Sequence, residues 1–179
     1  MNKKQIYNTN GNDNGKNTKL IGGNPSGIIN MNNIKYAWAY KLWEVMLANT
    51  WTAGEVTLND DVKEYKTLTS NEKQAYDKAL SQLIFMDSLQ TNQIMDNLNP
   101  YITAPEINIL LARQAYEEAL HSQSYAVLVD SISSGSDEIY ELWRKDEILK
   151  AKNDEIAKIY SNLAEDPSDE NLLLSMFAN

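Results

Sequence analysis

One stretch of the chain, from Pro105 to Asp130, constrains the fold more than any other. Its apolar residues recur at steps of three and four, which predicts a long helix with one apolar face. The middle of that face carries three polar side chains, those of Glu118, His121 and Tyr125. Burying polar groups without partners costs roughly 2–7 kcal/mol each. A bound metal ion is the first candidate for a partner that would offset this cost.

The rest of the sequence also has the spacing of helices rather than strands, so we predict an all-α fold. Thr69 and Glu72 form a capping-box signature that begins a second long helix, and Thr103 and Glu106 repeat that signature before the central helix. The predicted helices cover about residues 34–49, 60–65, 70–97, 105–130, 136–166 and 169–179.

Residues 1–33 differ in composition from the rest of the chain. They contain ten Asn and five of the seven Gly, with few apolar residues. Such a segment buries too little surface to offset the entropy lost on ordering. We therefore predict an irregular N-terminal arm over residues 1–33, draped on the body through Ile21, Ile28 and Ile29, and a helical body over residues 34–179.

Composition excludes several classes of function. The chain has no Cys, which rules out disulfides, thiolate metal sites and cysteine nucleophiles. Its net charge of −9 would repel nucleic acid. No apolar run approaches the roughly 20 residues needed to cross a bilayer, and the N-terminus lacks the apolar segment of a secretory signal. We expect a cytoplasmic protein with no nucleic-acid or membrane partner.

Asp87 brings the preceding long helix into the same candidate site. It lies on an apolar stripe roughly 14 residues before the centre of the turn at Asn99–Ile102, and Glu118 lies roughly 17 residues after that point, so the two depths agree within about one helical turn. An antiparallel hairpin would then place two carboxylates and the imidazole of His121 at one level. Such a set is half of a carboxylate-bridged dinuclear site.

Each of these residues also has an ordinary structural interpretation. Glu118 and His121 have the spacing of a helix-surface pair, in which the acid simply satisfies the imidazole. Asp87 fits an interhelical cap or ion pair, while Tyr125 and Trp51 fit core aromatic residues. On spacing alone, these alternatives stay open.

Several motifs taken together resemble the radical-generating small subunit of class I ribonucleotide reductase. Asp87 is followed after 31 residues by Glu118, after three more by His121 and after four more by Tyr125, and this combined spacing is more specific than any single motif. Further matching segments are Gly22–Pro25, Ala48–Trp51, Arg113–Glu118 and Ile139–Trp143.

The resemblance implies a ferritin-like helical bundle with long up-and-down helices, of which this chain forms the first half. It implies that Asp87, Glu118 and His121 are ligands of a dinuclear iron or manganese centre. Tyr125 is implied to form a stable radical when the reduced metals react with oxygen, and Trp51 to relay an electron. The implied partner is the large catalytic subunit, with which the small subunit converts ribonucleotides to deoxyribonucleotides.

The chain lacks the second half of the family pattern. His121 is the only His, and the family's later Glu and second Glu-x-x-His are absent. We therefore expect the N-terminal part of a split or truncated subunit that needs a complementing C-terminal chain. The alternatives are a homodimeric ferritin-like metal-binding or oxidase protein and an inactive, truncated helical interaction protein. In each case an uncovered apolar face predicts a homo- or hetero-oligomer.

Overall fold

A computed structural model describes residues 1–133 and 135–179, and every regular element within them is helical. The predicted all-α class is confirmed, as is the long central helix. None of the helices in the described ranges is both long and apolar enough to pass through a membrane. The helices are α1 Ala37–Ala48, α2 Asn59–Thr67, α3 Ser70–Asn92, α4 Pro105–Ile132, α5 Ser136–Lys145, α6 Glu147–Glu165 and α7 Asp169–Ala178.

The predicted capping box at the start of α3 is confirmed. The backbone N–H of Thr69 donates to Glu72 Oε2 at 2.8 Å, and the N–H of Glu72 lies 3.4 Å from Thr69 Oγ1. These bonds satisfy N–H groups that a helix start leaves without partners. The bonds from the backbone and hydroxyl of Thr69 also lower the pKa of Glu72.

The second predicted capping box, at the start of α4, is wrong. The hydroxyl of Thr103 donates to the carbonyl of Lys19 at 2.7 Å instead of capping its own helix. Glu106 Oε1 accepts the backbone N–H groups of Lys35 and Tyr36 at 2.8 and 2.6 Å. Tyr36 is the N-cap residue of α1, so the acid caps a helix about 70 residues away in sequence.

The helix predicted over residues 136–166 is in fact two helices, α5 and α6. They separate at Asp146, whose Oδ1 accepts the backbone N–H groups of Ile148 and Leu149 at 3.1 and 3.0 Å. The aspartate thereby caps α6, and its Oδ2 lies 2.6 Å from the Lys78 ammonium on α3. The apolar spacing continues across this break, which is why periodicity alone missed it.

One compact unit consists of residues 1–50, 91–116 and 159–179. Its core contains Ile94, Ile102 and Leu111, and Ile21 of the N-terminal segment packs against it. By contrast, Ile28 and Ile29 are 66% and 57% exposed, so the draping predicted through them is not found. The division into an arm over 1–33 and a body over 34–179 stays a prediction.

The second compact unit consists of residues 51–90 and 117–158. Leu80 and Ile84 of α3 share a buried cluster with Val129 and Ile132 of α4. Residues in the middle of α3 therefore meet residues near the end of α4, as the predicted antiparallel pairing requires. This packing carries Asp87, about one turn beyond Ile84, toward the middle of α4.

Candidate metal centre

The three candidate ligands lie together in the second unit. Asp87 projects from α3, while Glu118 and His121 project from one face of α4 because they are three residues apart. Both carboxylate residues are only 8% exposed, whereas the imidazole side chain is 38% exposed. Burying a carboxylate away from water is costly unless a cation or hydrogen-bond donors are nearby. Two buried acids beside one partly accessible imidazole are therefore an uncommon cluster.

The distances in this cluster fit a single cation. His121 Nδ1 lies 3.3 Å from Asp87 Oδ2 and 3.3 Å from Glu118 Oε2, and the three donor atoms lie within 4.8 Å of one another. Ligand atoms bound at roughly 2.0–2.2 Å from one ion lie about 3 Å apart. Two carboxylates and an imidazole suit iron, manganese or zinc. The residues present therefore fit the metal that the sequence suggested.

Tyr125 lies one turn further along α4 and joins the same cluster. Its hydroxyl donates to Asp87 Oδ2 at 2.7 Å, so this carboxylate faces both the phenol and the imidazole of His121. Burial raises the pKa of the Tyr125 phenol, and the hydrogen bond to Asp87 and the charges of Asp87 and Glu118 raise it further. The phenol thus keeps its proton at neutral pH and holds it against a carboxylate that can accept it.

Trp51 completes a row of three rings. Its indole stacks on the imidazole of His121 with ring centroids 6.0 Å apart and an interplanar angle of 29°. On the other side, the ring of Tyr125 lies 6.4 Å from that imidazole. The structure therefore brings all five residues singled out in the sequence into one cluster.

One feature of the site was not recognised from the sequence. Thr52 and Glu55, directly after Trp51, form a capping box in which the Thr52 N–H donates to Glu55 Oε1 at 3.0 Å. The box closes the short 3-10 turn Ala53–Glu55 and fixes the backbone that carries the indole. Its Thr-x-x-Glu signature is present in the sequence and resembles the one at Thr69, so the signal was available.

The antiparallel helices with inward-facing acids and a histidine define the class of ferritin-like proteins with carboxylate-rich metal sites. Comparison with known proteins then gives the family. The chain belongs to the ribonucleotide reductase small chain family, whose model matches residues 28–179.

Individual relatives agree with this assignment. The chain is 41% identical to the ribonucleoside-diphosphate reductase subunit beta of Treponema pallidum over 163 residues. This alignment covers 90% of this chain and 46% of that protein. It is 36% identical to the Aquifex aeolicus subunit beta over 99% of this chain and 26% of that protein. The R2 subunit structure from Clostridium botulinum matches with a TM-score of 0.92 and 38% identity, over 100% of this chain and 56% of that one.

These matches also show a difference in length. The chain spans 46% of the Treponema pallidum protein and 56% of the Clostridium botulinum chain, which is about half of each. The activity, substrates and partners of the complete proteins therefore do not transfer directly to this chain.

Proposed function

We propose that the chain is the N-terminal part of a ribonucleotide reductase small subunit, in which it supplies half of a dinuclear metal site and the radical tyrosine for deoxyribonucleotide synthesis. The observation that carries this proposal is the contact among Asp87, Glu118, His121 and Tyr125. The feature that supports the proposal is the convergence of two buried acids, an imidazole and a phenol on one point, with Asp87 Oδ2 facing both the imidazole and the phenol.

The roles of the residues follow from their positions. Asp87, Glu118 and His121 would hold the metal, with the two acids supplying the negative charge that a divalent cation needs. When bound and oxidised by molecular oxygen, an iron or manganese centre would supply the oxidising power and would accept the electron that the tyrosine gives up. Tyr125 would lose one electron and pass its proton along the 2.7 Å hydrogen bond to Asp87. Because the proton has a nearby acceptor, oxidation avoids forming a buried phenol cation.

Trp51 would carry the electron between this centre and a partner. Its indole is half-buried and lies against the imidazole of His121. An electron could therefore pass from one ring to the next over a short distance, without any bond being rearranged. We propose that the electron leaves toward the large catalytic subunit, and that the assembly works in the cytoplasm.

A complementing C-terminal chain would supply the remaining ligands. His121 is the only His among these 179 residues, so a second imidazole would come from outside them. In the second unit, Leu83 on α3 and Val127 on α4 are 48% and 44% exposed, so both helices that carry the site present an apolar side chain to solvent. We propose that the complementing helices cover these two side chains.

A radical measurement tests the proposal. The chain is combined with the complementing half, loaded with ferrous iron and exposed to oxygen, and the tyrosyl radical is followed by electron paramagnetic resonance. Tyr125→Phe should abolish the signal. Tyr65→Phe is the matched control, because Tyr65 in the same unit also donates to a carboxylate, that of Asp77, at 2.8 Å. A signal that survives Tyr125→Phe would contradict the assignment.

Metal counting separates this proposal from a homodimeric metal protein. A split subunit should bind two ions per chain only after the complementing half is added. A homodimer would bind two ions per pair of chains without any partner, and would lose them in Glu118→Ala. An inactive interaction protein would bind no metal under either condition.

A further inference from the structure

A cavity of about 600 Å³ lies in the first unit, between the N-terminal segment and the first turns of α4. Its volume falls within the range of roughly 300–1,000 Å³ typical of small-molecule sites. It is separate from the candidate metal centre, whose residues all belong to the other unit. More of the lining surface is apolar than polar, and its apolar side chains include Ile6, Ile28, Ile29, Met95 and Ile109.

Three of the isoleucines in the N-terminal segment are poorly covered by protein. Ile6, Ile28 and Ile29 are 91%, 66% and 57% exposed, although the segment around them is rich in Asn and Gly. Three exposed isoleucines around one cavity form an apolar surface of the kind that marks binding sites. An apolar ligand body would remove this surface from water.

The walls of the cavity are held in place by the backbone. The N–H of Asn8 donates to the carbonyl of Ser26 at 2.9 Å, and the N–H of Asn12 donates to that of Asn24 at 2.6 Å. Gly27 has φ +97, and a Cβ there would lie 2.0 Å from the carbonyl oxygen of Ile6. Only glycine therefore allows this close approach. The cavity is largely formed before any ligand arrives, as small-molecule sites usually are.

Lys4 places a cation in the cavity. Its backbone N–H donates to the carbonyl of Pro100 at 2.8 Å, and its ammonium donates to Asn99 Oδ1 at 3.3 Å and to Asn108 Oδ1. Two neutral acceptors leave the positive charge uncompensated, and an ammonium has three donors. Burial lowers the pKa of Lys4 to about 8, so the group is charged at neutral pH and an anion would stabilise that form.

The charged side chains of the lining indicate which net charge a ligand should carry. Asp13 Oδ1 already accepts the backbone N–H of Ser26 at 2.9 Å, and Lys19 is exposed. The lining therefore contains two lysines and one aspartate, a net charge of +1. We propose that the cavity binds a small amphipathic monocarboxylate, with its carboxylate on Lys4 and its hydrocarbon body on the isoleucines. This inference does not depend on the proposed reductase function.

Octanoate titrated into the full chain is the test. Binding is measured by calorimetry and located by the methyl resonances of the isoleucines. We expect saturable shifts at Ile6, Ile28, Ile29 and Ile109, and binding at least about tenfold weaker for 1-octanol, which lacks the charge. Ala112→Trp, at an exposed position in the lining, should fill the cavity and abolish binding without lowering the Tm.

Lys4→Gln should weaken octanoate binding at least about tenfold, since it removes a charged hydrogen-bond donor. Lys3→Gln is the matched control, because it removes the same charge from an exposed neighbour that does not line this cavity. Lys4→Arg keeps the charge and should restore most of the affinity.

Three results would overturn the inference. Equal affinity of octanoate for the wild type and Lys4→Gln would show that Lys4 does not bind the carboxylate. Equal binding of octanoate and octanol would reduce the site to an apolar patch. Isoleucine shifts that depend on protein concentration rather than on octanoate would instead assign the surface to a second copy of the chain.

Discussion

At the scale of single residues, Asp87 has the most demanding position in the molecule. Its Oδ2 accepts a hydrogen bond from the hydroxyl of Tyr125 at 2.7 Å and lies 3.3 Å from His121 Nδ1. A single carboxylate therefore connects the donor cluster to the tyrosine. Any change at this residue should alter metal binding and the tyrosine together, which makes it a poor choice for separating the two roles.

Glu118 allows a cleaner test of metal binding. Glu118→Gln keeps the shape of the side chain but replaces a charged ligand with a neutral amide, which hard cations bind poorly. In the chain combined with the complementing half, we expect the affinity for manganese to fall at least about tenfold and the metal-dependent rise in Tm to disappear, because bound metal stabilises the native state. Asp130→Asn, an exposed acid on the same helix, should leave both unchanged. Equal losses in the two variants would indicate a general charge effect.

The residue scale also shows what sequence spacing can predict. Glu118, His121 and Tyr125 lie on one helix, so their relative positions follow from 3.6 residues per turn. Asp87 could be added because two long helices joined by a short turn pack antiparallel. Glu106 could not be placed in this way. Its partners Lys35 and Tyr36 lie 71 and 70 residues away, and no local pattern specifies that contact.

At the scale of elements, residues of α4 hold both ends of α1 within the first unit. Glu106 accepts N–H groups at the start of α1, and Arg113 Nη2 donates to the carbonyl of Met46 at 3.0 Å and to Thr50 Oγ1 at 2.9 Å at its end. A carboxylate near a helix N-terminus and a cation near its C-terminus both complement the helix dipole. The placement of α1 therefore depends on two buried side chains rather than on its own caps.

Glu106→Ala should accordingly destabilise the chain. Glu106 is fully buried, and its loss leaves the N–H groups of Lys35 and Tyr36 without their acceptor. The expected cost is about 1–3 kcal/mol in the free energy of unfolding, measured by urea denaturation. Glu44→Ala, an exposed change on α1, should stay within about 0.5 kcal/mol. Equal stability of the two variants would mean that α1 is held by apolar packing alone.

The element boundaries that the sequence did not predict share one cause. The break at Asp146 and the cap at Glu106 both depend on polar side chains that bond to backbone, while the apolar spacing around them continues to favour a helix. Periodicity identifies the buried face of a helix, but it carries little information about where the helix ends. For the same reason, the predicted cores of α3 and α4 were right and the single long helix after Gly135 was wrong.

At the scale of the whole molecule, the chain has about half the length of relatives such as the Treponema pallidum subunit beta. If a complementing half covers α3 and α4 of the second unit, a charge placed there should prevent association. We expect Leu83→Asp to weaken binding of that half at least about tenfold, measured by sedimentation, with the Tm of the chain alone unchanged. Ile148→Asp, on α6 and 80% exposed, is the control. Undiminished association of Leu83→Asp would place the interface elsewhere.

The location of Glu118, His121 and Tyr125 on one uninterrupted helix limits how this protein can vary. Each residue inserted into an α-helix rotates everything beyond it by about 100°. A single insertion between His121 and Tyr125 would turn the phenol away from Asp87 while leaving every side chain of the set unchanged. The number of residues between His121 and Tyr125 is therefore more strictly constrained than their identity. Related proteins should tolerate substitutions at the outward-facing positions of this interval, but no insertion or deletion within it.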